Sequence, residues 1–88
     1  MSNVAFSQNG WDDYLHWQTQ DKKTLKRINE LLKDIQRNGL ANGIGKPEQL
    51  KYRENEWSRR IDHANRLVYT LDEANNIVVL SCKGHYED

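Results

Sequence analysis

Residues 57–83 read WSRRIDHANRLVYTLDEANNIVVLSCK, and the period of this stretch decides the fold. Trp57 to Ile61, Arg66 to Leu71 and Ile77 to Lys83 are rich in β-branched and aromatic residues and alternate with a period of two, so they read as three strands. Turn-forming residues separate them at Asp62 to Asn65 and Asp72 to Asn76, and connections this short predict an antiparallel meander. In the middle strand Leu67, Tyr69 and Leu71 oppose Arg66, Val68 and Thr70, which turns Arg66 away from the face that packs helices. In the last strand Val78, Leu80 and Cys82 fall on one side, and Cys82 reads as a small core residue, not a nucleophile.

Working outward, the segment from Leu40 to Gln49 holds Gly43, Gly45 and Pro47 and reads as the one long loop. Before it the period becomes helical. Leu25, Ile28, Leu31, Leu32 and Ile35 make one stripe over Asp21 to Arg37, with charged residues off the stripe and Asn38-Gly39 as the stop signal. A first helix is expected over about Asn9 to Gln18, with Trp11, Tyr14, Leu15 and Gln18 at helical spacing and Ser7 as its N-cap. Part of that aromatic face is a candidate for contact with another subunit. Asn3 to Phe6 opens the chain as a short strand. The expected class is α+β: an N-terminal strand and two helices packed on an antiparallel β-sheet.

Eighty-eight residues suit a single domain spanning residues 1–88 with a thin core. Thirteen Lys and Arg balance thirteen Asp and Glu, so there is no basic bulk. Between Lys46 and Arg66, however, six basic residues face four acidic ones. The lone Cys82 excludes an internal disulfide, and no Cys and His cluster has the spacing of a zinc site; no metal or cofactor is expected. No secretory leader or long apolar run is present, so a cytoplasmic protein without a membrane span is expected.

The chemistry-bearing residues are Glu48, Lys51, Arg60, Arg66, His85 and Tyr86. Metal-free RNA cleavage uses the neighbouring 2′-hydroxyl as nucleophile and needs a base, an acid and a cation for the phosphoryl oxygens. A carboxylate and an imidazole divide the proton work near neutral pH, and a guanidinium holds phosphate in a bidentate way. Lys51 and Arg60 add positioning charge, and Tyr86 offers a ring or a phenol. His16, in an aromatic helix, and His63, in a turn, have no comparable setting.

At these residues the chain resembles the YoeB-type toxins of the RelE superfamily. The resemblance runs through Trp11-Asp12-Asp13-Tyr14-Leu15, Ile28-Asn29-Glu30-Leu31, Gly45-Lys46-Pro47-Glu48, Trp57-Ser58-Arg59-Arg60-Ile61, Arg66-Leu67-Val68-Tyr69 and His85-Tyr86. It implies the RelE-like microbial RNase fold, with Glu48 as general base, His85 as general acid and Arg66 as the transition-state cation. It also implies that Lys51 and Arg60 bind phosphate and that Tyr86 helps arrange the site. The implied activity is an endoribonuclease that cuts mRNA in the A site of the 70S ribosome and so inhibits translation. The implied partners are a YefM-like antitoxin and a second copy of the chain in a homodimer, in a bacterial cytoplasm. A non-enzymatic inhibitory binding module of the same fold, like the gyrase-inhibiting relatives, is the alternative. Three departures from the family pattern stand out: Glu87-Asp88 beyond the His-Tyr pair, Asn65 where a His is often seen, and Gln49 where a Pro is common.

Overall fold

The computed structural model describes residues 2–85. The chain runs β1 (Val4–Phe6), α1 (Gln8–Gln20), α2 (Lys22–Asn38), β2 (Glu48–Gln49), β3 (Trp57–Arg60), β4 (Arg66–Leu71) and β5 (Ile77–Ser81). The five strands form one sheet in the order β1-β5-β4-β3-β2, with both helices on one face. The expected α+β class holds, and β2 to β5 are antiparallel neighbours. The sheet is nevertheless mixed, because β1 lies parallel to β5 with Val4 opposite Ile77. A strand that opens the chain and then crosses through two helices has no hairpin to impose antiparallel pairing.

Ser7 caps α1 as expected, its side chain accepting the Gly10 N–H at 3.1 Å. Asp21 alone joins the helices. Its N–H donates to the Trp17 carbonyl, closing α1, while its carboxylate accepts the Lys23 and Thr24 N–H groups and opens α2. The α2 stripe packs as expected, with Ile28, Leu31, Leu32 and Ile35 buried against Ile61, Leu67, Tyr69, Ile77 and Val79. Each such side chain withdrawn from water stabilises the fold by about 1.5–3 kcal/mol.

Helix α1 is rotated from the face its aromatic spacing implied. Gly10, Tyr14 and Trp17 meet the sheet, whereas Trp11 and Leu15 are 42% and 38% exposed and Gln18 points outward. Gly10 causes this: a Cβ there would lie 2.2 Å from the Val79 carbonyl oxygen, so only glycine lets helix and strand come this close.

The expected alternation along β5 also breaks. Tyr69 pairs with Val79 but Val68 pairs with Ser81, so Leu80 is an extra residue, a β-bulge. The core side of β5 is Ile77 and Val79, and the bulge shifts the phase so that Cys82 joins them. Cys82 is core as expected, but Val78 and Leu80 are half-exposed and lie on other sides of the strand.

The loop before β2 is pinned from within. Arg59 is fully buried, and its guanidinium donates to Asp34 Oδ2 at 2.5 Å and to the carbonyls of Gly39, Asn42 and Ile44 at 2.7–3.0 Å. Its Nε donates to Tyr69 Oη at 2.9 Å, and that hydroxyl donates to the Leu40 carbonyl. A fork of fixed donors thus fastens α2, the loop and β4 together. Gly43, at φ +122, passes so close to the Asp34 carboxylate that no side chain fits. The loop ends in β2, a short strand where the sequence suggested irregular chain, and β2 carries Glu48.

Candidate active site

The face opposite the helices holds the candidate chemistry. Because Arg59 and Leu67 point to the helices, their neighbours Arg60 and Arg66 point the other way, and these two are direct cross-strand partners. Adjacent like charges on opposed strands destabilise a sheet unless an anion is to sit between them. Arg66 Nη1 donates to the carbonyls of Asp62 at 3.0 Å and Asn65 at 3.3 Å, which orients the fork.

His85 reaches the same place by a backbone clamp. Gly84 N–H donates to Asn65 Oδ1 at 2.8 Å, and the Arg66 N–H donates to the Gly84 carbonyl at 3.0 Å. Gly84 turns there at φ +81, a left-handed conformation suited to glycine. The imidazole follows, exposed, with Nε2 3.3 Å from the His63 carbonyl. As a hydrogen bond this contact makes Nε2 a donor.

Arg60, Arg66 and His85 therefore line one cleft of 540 Å3, together with Arg27, Ile61, Asp62 and His63. Burial pushes the Asp62 carboxyl up, but hydrogen bonds from the Asn65 side chain and the Ala64 and Asn65 amides outweigh it and hold the group below its usual value. That carboxylate is spent on its own turn. A second cavity of 430 Å3 adjoins the first, sharing Arg27, Ile61 and Asp62 and adding Asp21, Lys23 and Thr24.

Glu48 is not among the residues lining this cleft. Its Cα partner is Ser58, so it shares the sheet face of Ser58, Arg60 and Arg66, two strands from β4. At a strand spacing of about 4.8 Å and a rise of about 3.3 Å per residue, its Cα lies about 12 Å from that of Arg66, two strands across and two residues along. Lys51 is exposed in the turn after β2, also outside the cleft lining. Tyr86, like Glu87 and Asp88, lies outside the described residues.

Sequence reasoning missed three contributors. His63 was set aside as a turn residue, yet it walls the cleft and its carbonyl meets His85. Asn65, noted only as a departure, fastens the C-terminal segment. Arg27 arrives from α2, far away in sequence. Among the described residues no group of three or more His, Cys, Asp or Glu is placed to hold a metal ion. The Cys82 thiol is pushed up to about 12 by burial, with Asp13 nearby, and it takes no part.

The donors in the cleft are cations and an imidazole, a set that binds a phosphodiester and delivers a proton to it. Residues 6–86 match the family model described as YoeB-like toxin of bacterial type II toxin-antitoxin system. The chain is 48% identical to Toxin YoeB of Synechocystis over 96% of each chain. It is 45% identical to Toxin YoeB of Escherichia coli K12, over 94% of this chain and 98% of that one. Among solved structures, the YoeB dimer from Staphylococcus aureus superposes with a TM-score of 0.89 at 52% identity, covering 97% of this chain and 98% of that one. A YoeB-YefM complex from the same organism gives 0.87 at 52% identity, covering 98% and 99%.

Proposed function

Because the chain belongs to the family of YoeB-like toxins of bacterial type II toxin-antitoxin systems, we propose that it is an endoribonuclease that cuts mRNA in the ribosomal A site. The observation that carries this reading is the single cleft lined by Arg60, Arg66 and His85.

In the proposed reaction Glu48 takes the proton of the 2′-hydroxyl, whose oxygen bonds to the adjacent phosphorus. The phosphorus–O5′ bond breaks, and His85 gives its proton to the departing 5′-oxygen. The products are a 2′,3′-cyclic phosphate and a 5′-hydroxyl. Arg66 neutralises charge growing on the non-bridging oxygens, Arg60 and Lys51 hold the backbone, and Tyr86 supplies the terminal aromatic. The RNA contributes its own nucleophile, so the scheme calls for no metal or cofactor.

The partners follow from the relatives. Solved YoeB-YefM complexes support a YefM-like antitoxin for this chain, and the solved YoeB dimer supports a homodimer. No helix among the described residues is long and apolar enough to cross a membrane, and the bacterial cytoplasm, where ribosomes work, is the proposed compartment.

The test is cleavage of a defined mRNA on programmed ribosomes. His85→Gln and Glu48→Gln should each lower the single-turnover rate by about 10²–10⁴-fold. Intact mRNA at stoichiometric toxin, or an undiminished rate in both variants, overturns the reading. Growth arrest without RNA cleavage would favour the binding-module alternative.

A further inference from the structure

We propose that Arg27 of α2 is an RNA-binding residue that grips the phosphate next to the scissile one, extending the site along the substrate backbone. The inference rests on the cleavage reading above and adds a subsite to it.

Arg27 stands where two cavities meet. It lines the 540 Å3 cleft with Arg60, Arg66 and His85, and it also lines the 430 Å3 cavity beside the start of α2. A polynucleotide is a chain of regularly spaced anions, so a site that fixes one phosphate must accommodate its neighbour as well. The second cavity offers space for that continuation; Arg27 and Lys23 are the cations in its lining and Asp21 and Asp62 the carboxylates, and of the two cations only Arg27 also lines the first cleft.

The fold makes little other use of this side chain. Its ion pair among the described residues is with Glu30, one turn along the same helix, at 3.9 Å, with both side chains a third or more exposed. Such a pair adds almost nothing to stability. Asp62, the carboxylate common to both cavities, is turned toward the Asn65 side chain and the Ala64 amide, and among the described residues it forms no ion pair with Arg27. Three guanidinium groups thus line one cleft against the single carboxylate of Asp62, which leaves the lining net positive. Arg60 and Arg66 sit opposite each other on neighbouring strands and suit a single phosphate, while Arg27 approaches from the helix layer and suits a different one.

The experiment uses the full chain on ribosomes carrying an mRNA in which each phosphate flanking the scissile one is replaced, singly, by an uncharged methylphosphonate. Arg27→Gln should lower kcat/KM on the unmodified message by about 10- to 100-fold, the loss expected for one charge-assisted contact, with Arg27→Lys in between. One of the two methylphosphonates should lower the parent's kcat/KM by a similar factor and leave Arg27→Gln unchanged, because the contact is already gone. Thermal unfolding of the variant should match the parent. If the parent cleaves and Arg27→Gln cleaves equally well, the inference fails alone. It fails too if the loss from Arg27→Gln simply multiplies the loss from each of the two methylphosphonates. A parent that leaves the message intact overturns the cleavage reading and this inference with it.

Discussion

Asp34→Asn is the perturbation that best tests how the site is held. It keeps the shape and an acceptor oxygen but removes the charge facing Arg59, which has no exposed surface. Removing one partner of a buried ion pair costs about 3–5 kcal/mol because the remaining charge stays in the interior. A domain of this length has about 4–13 kcal/mol of total stability, so the variant forfeits a large share. Urea unfolding followed by tryptophan fluorescence should show a midpoint shift of that size at unchanged slope, and thermal unfolding should fall by about 12 °C or more.

The pH dependence supplies a second check. Burial raises the Asp34 carboxyl, but hydrogen bonds from Arg59, the Ile44 N–H and Asn38 outweigh it, so its folded value lies below the ordinary 3.8. A depressed folded value stabilises the fold fully above the unfolded value and loses that contribution as pH falls through the folded one. The gap between parent and Asp34→Asn should therefore be widest near neutrality and narrow below about pH 4. A stability loss under about 1 kcal/mol, or a gap that stays constant down to pH 3, would refute the role assigned to this pair. Because Arg59 also fastens the loop leading to Glu48, cleavage by the variant should drop even at temperatures where it remains folded.

Other expectations are more local. Gly10→Ala forces a methyl group against the Val79 carbonyl and should destabilise by about 1–3 kcal/mol in urea unfolding, although alanine favours helix. Asn65→Ala removes the acceptor for Gly84 N–H, so kcat on programmed ribosomes should fall at least about tenfold with a smaller change in thermal midpoint; an unchanged kcat would show that His85 is placed by other means. Cys82, buried with its thiol pushed up to about 12, should resist alkylation by iodoacetamide at pH 8 in the folded protein and react after denaturation.

What the sequence disclosed was what short-range chemistry determines. The α2 stripe, the Ser7 cap, and the turns at Asp62 and Asp72, whose carboxylates accept the amides of Ala64, Asn65, Ala74 and Asn76, all depend on residues within a few positions. Arg60, Arg66 and His85 were recognisable for the same reason, by residue type and neighbourhood, and the fold brings them into one cleft. What escaped was long-range. Gly10 rotates α1 only because Val79 lies opposite, and Arg59 is buried only because Asp34 and the carbonyls of a distant loop surround it. The parallel placement of β1 joins the two ends of the chain. Asn65 and Arg27 enter the site by the same route, from elements whose own patterns carry no sign of the cleft.

The bulge at Leu80 bears on how this strand tolerates changes in length. Strict pairing resumes at Ser81, so Leu80 is the one position in β5 that the ladder does not count. Its carbonyl accepts Ser7 Oγ–H at 3.2 Å and Asn9 Nδ2–H at 3.1 Å, and those bonds are what a deletion forfeits. A chain lacking Leu80 should keep Cys82 inward and His85 in the cleft, losing stability but not register. Deleting Ser81 instead draws on the same slack, with Leu80 taking its place opposite Val68, whereas a deletion at Lys83 has none and pulls the imidazole away from the arginines. The strand thus carries a single spare residue, and the C-terminal segment can survive a loss of one residue within the bulge but not beyond it.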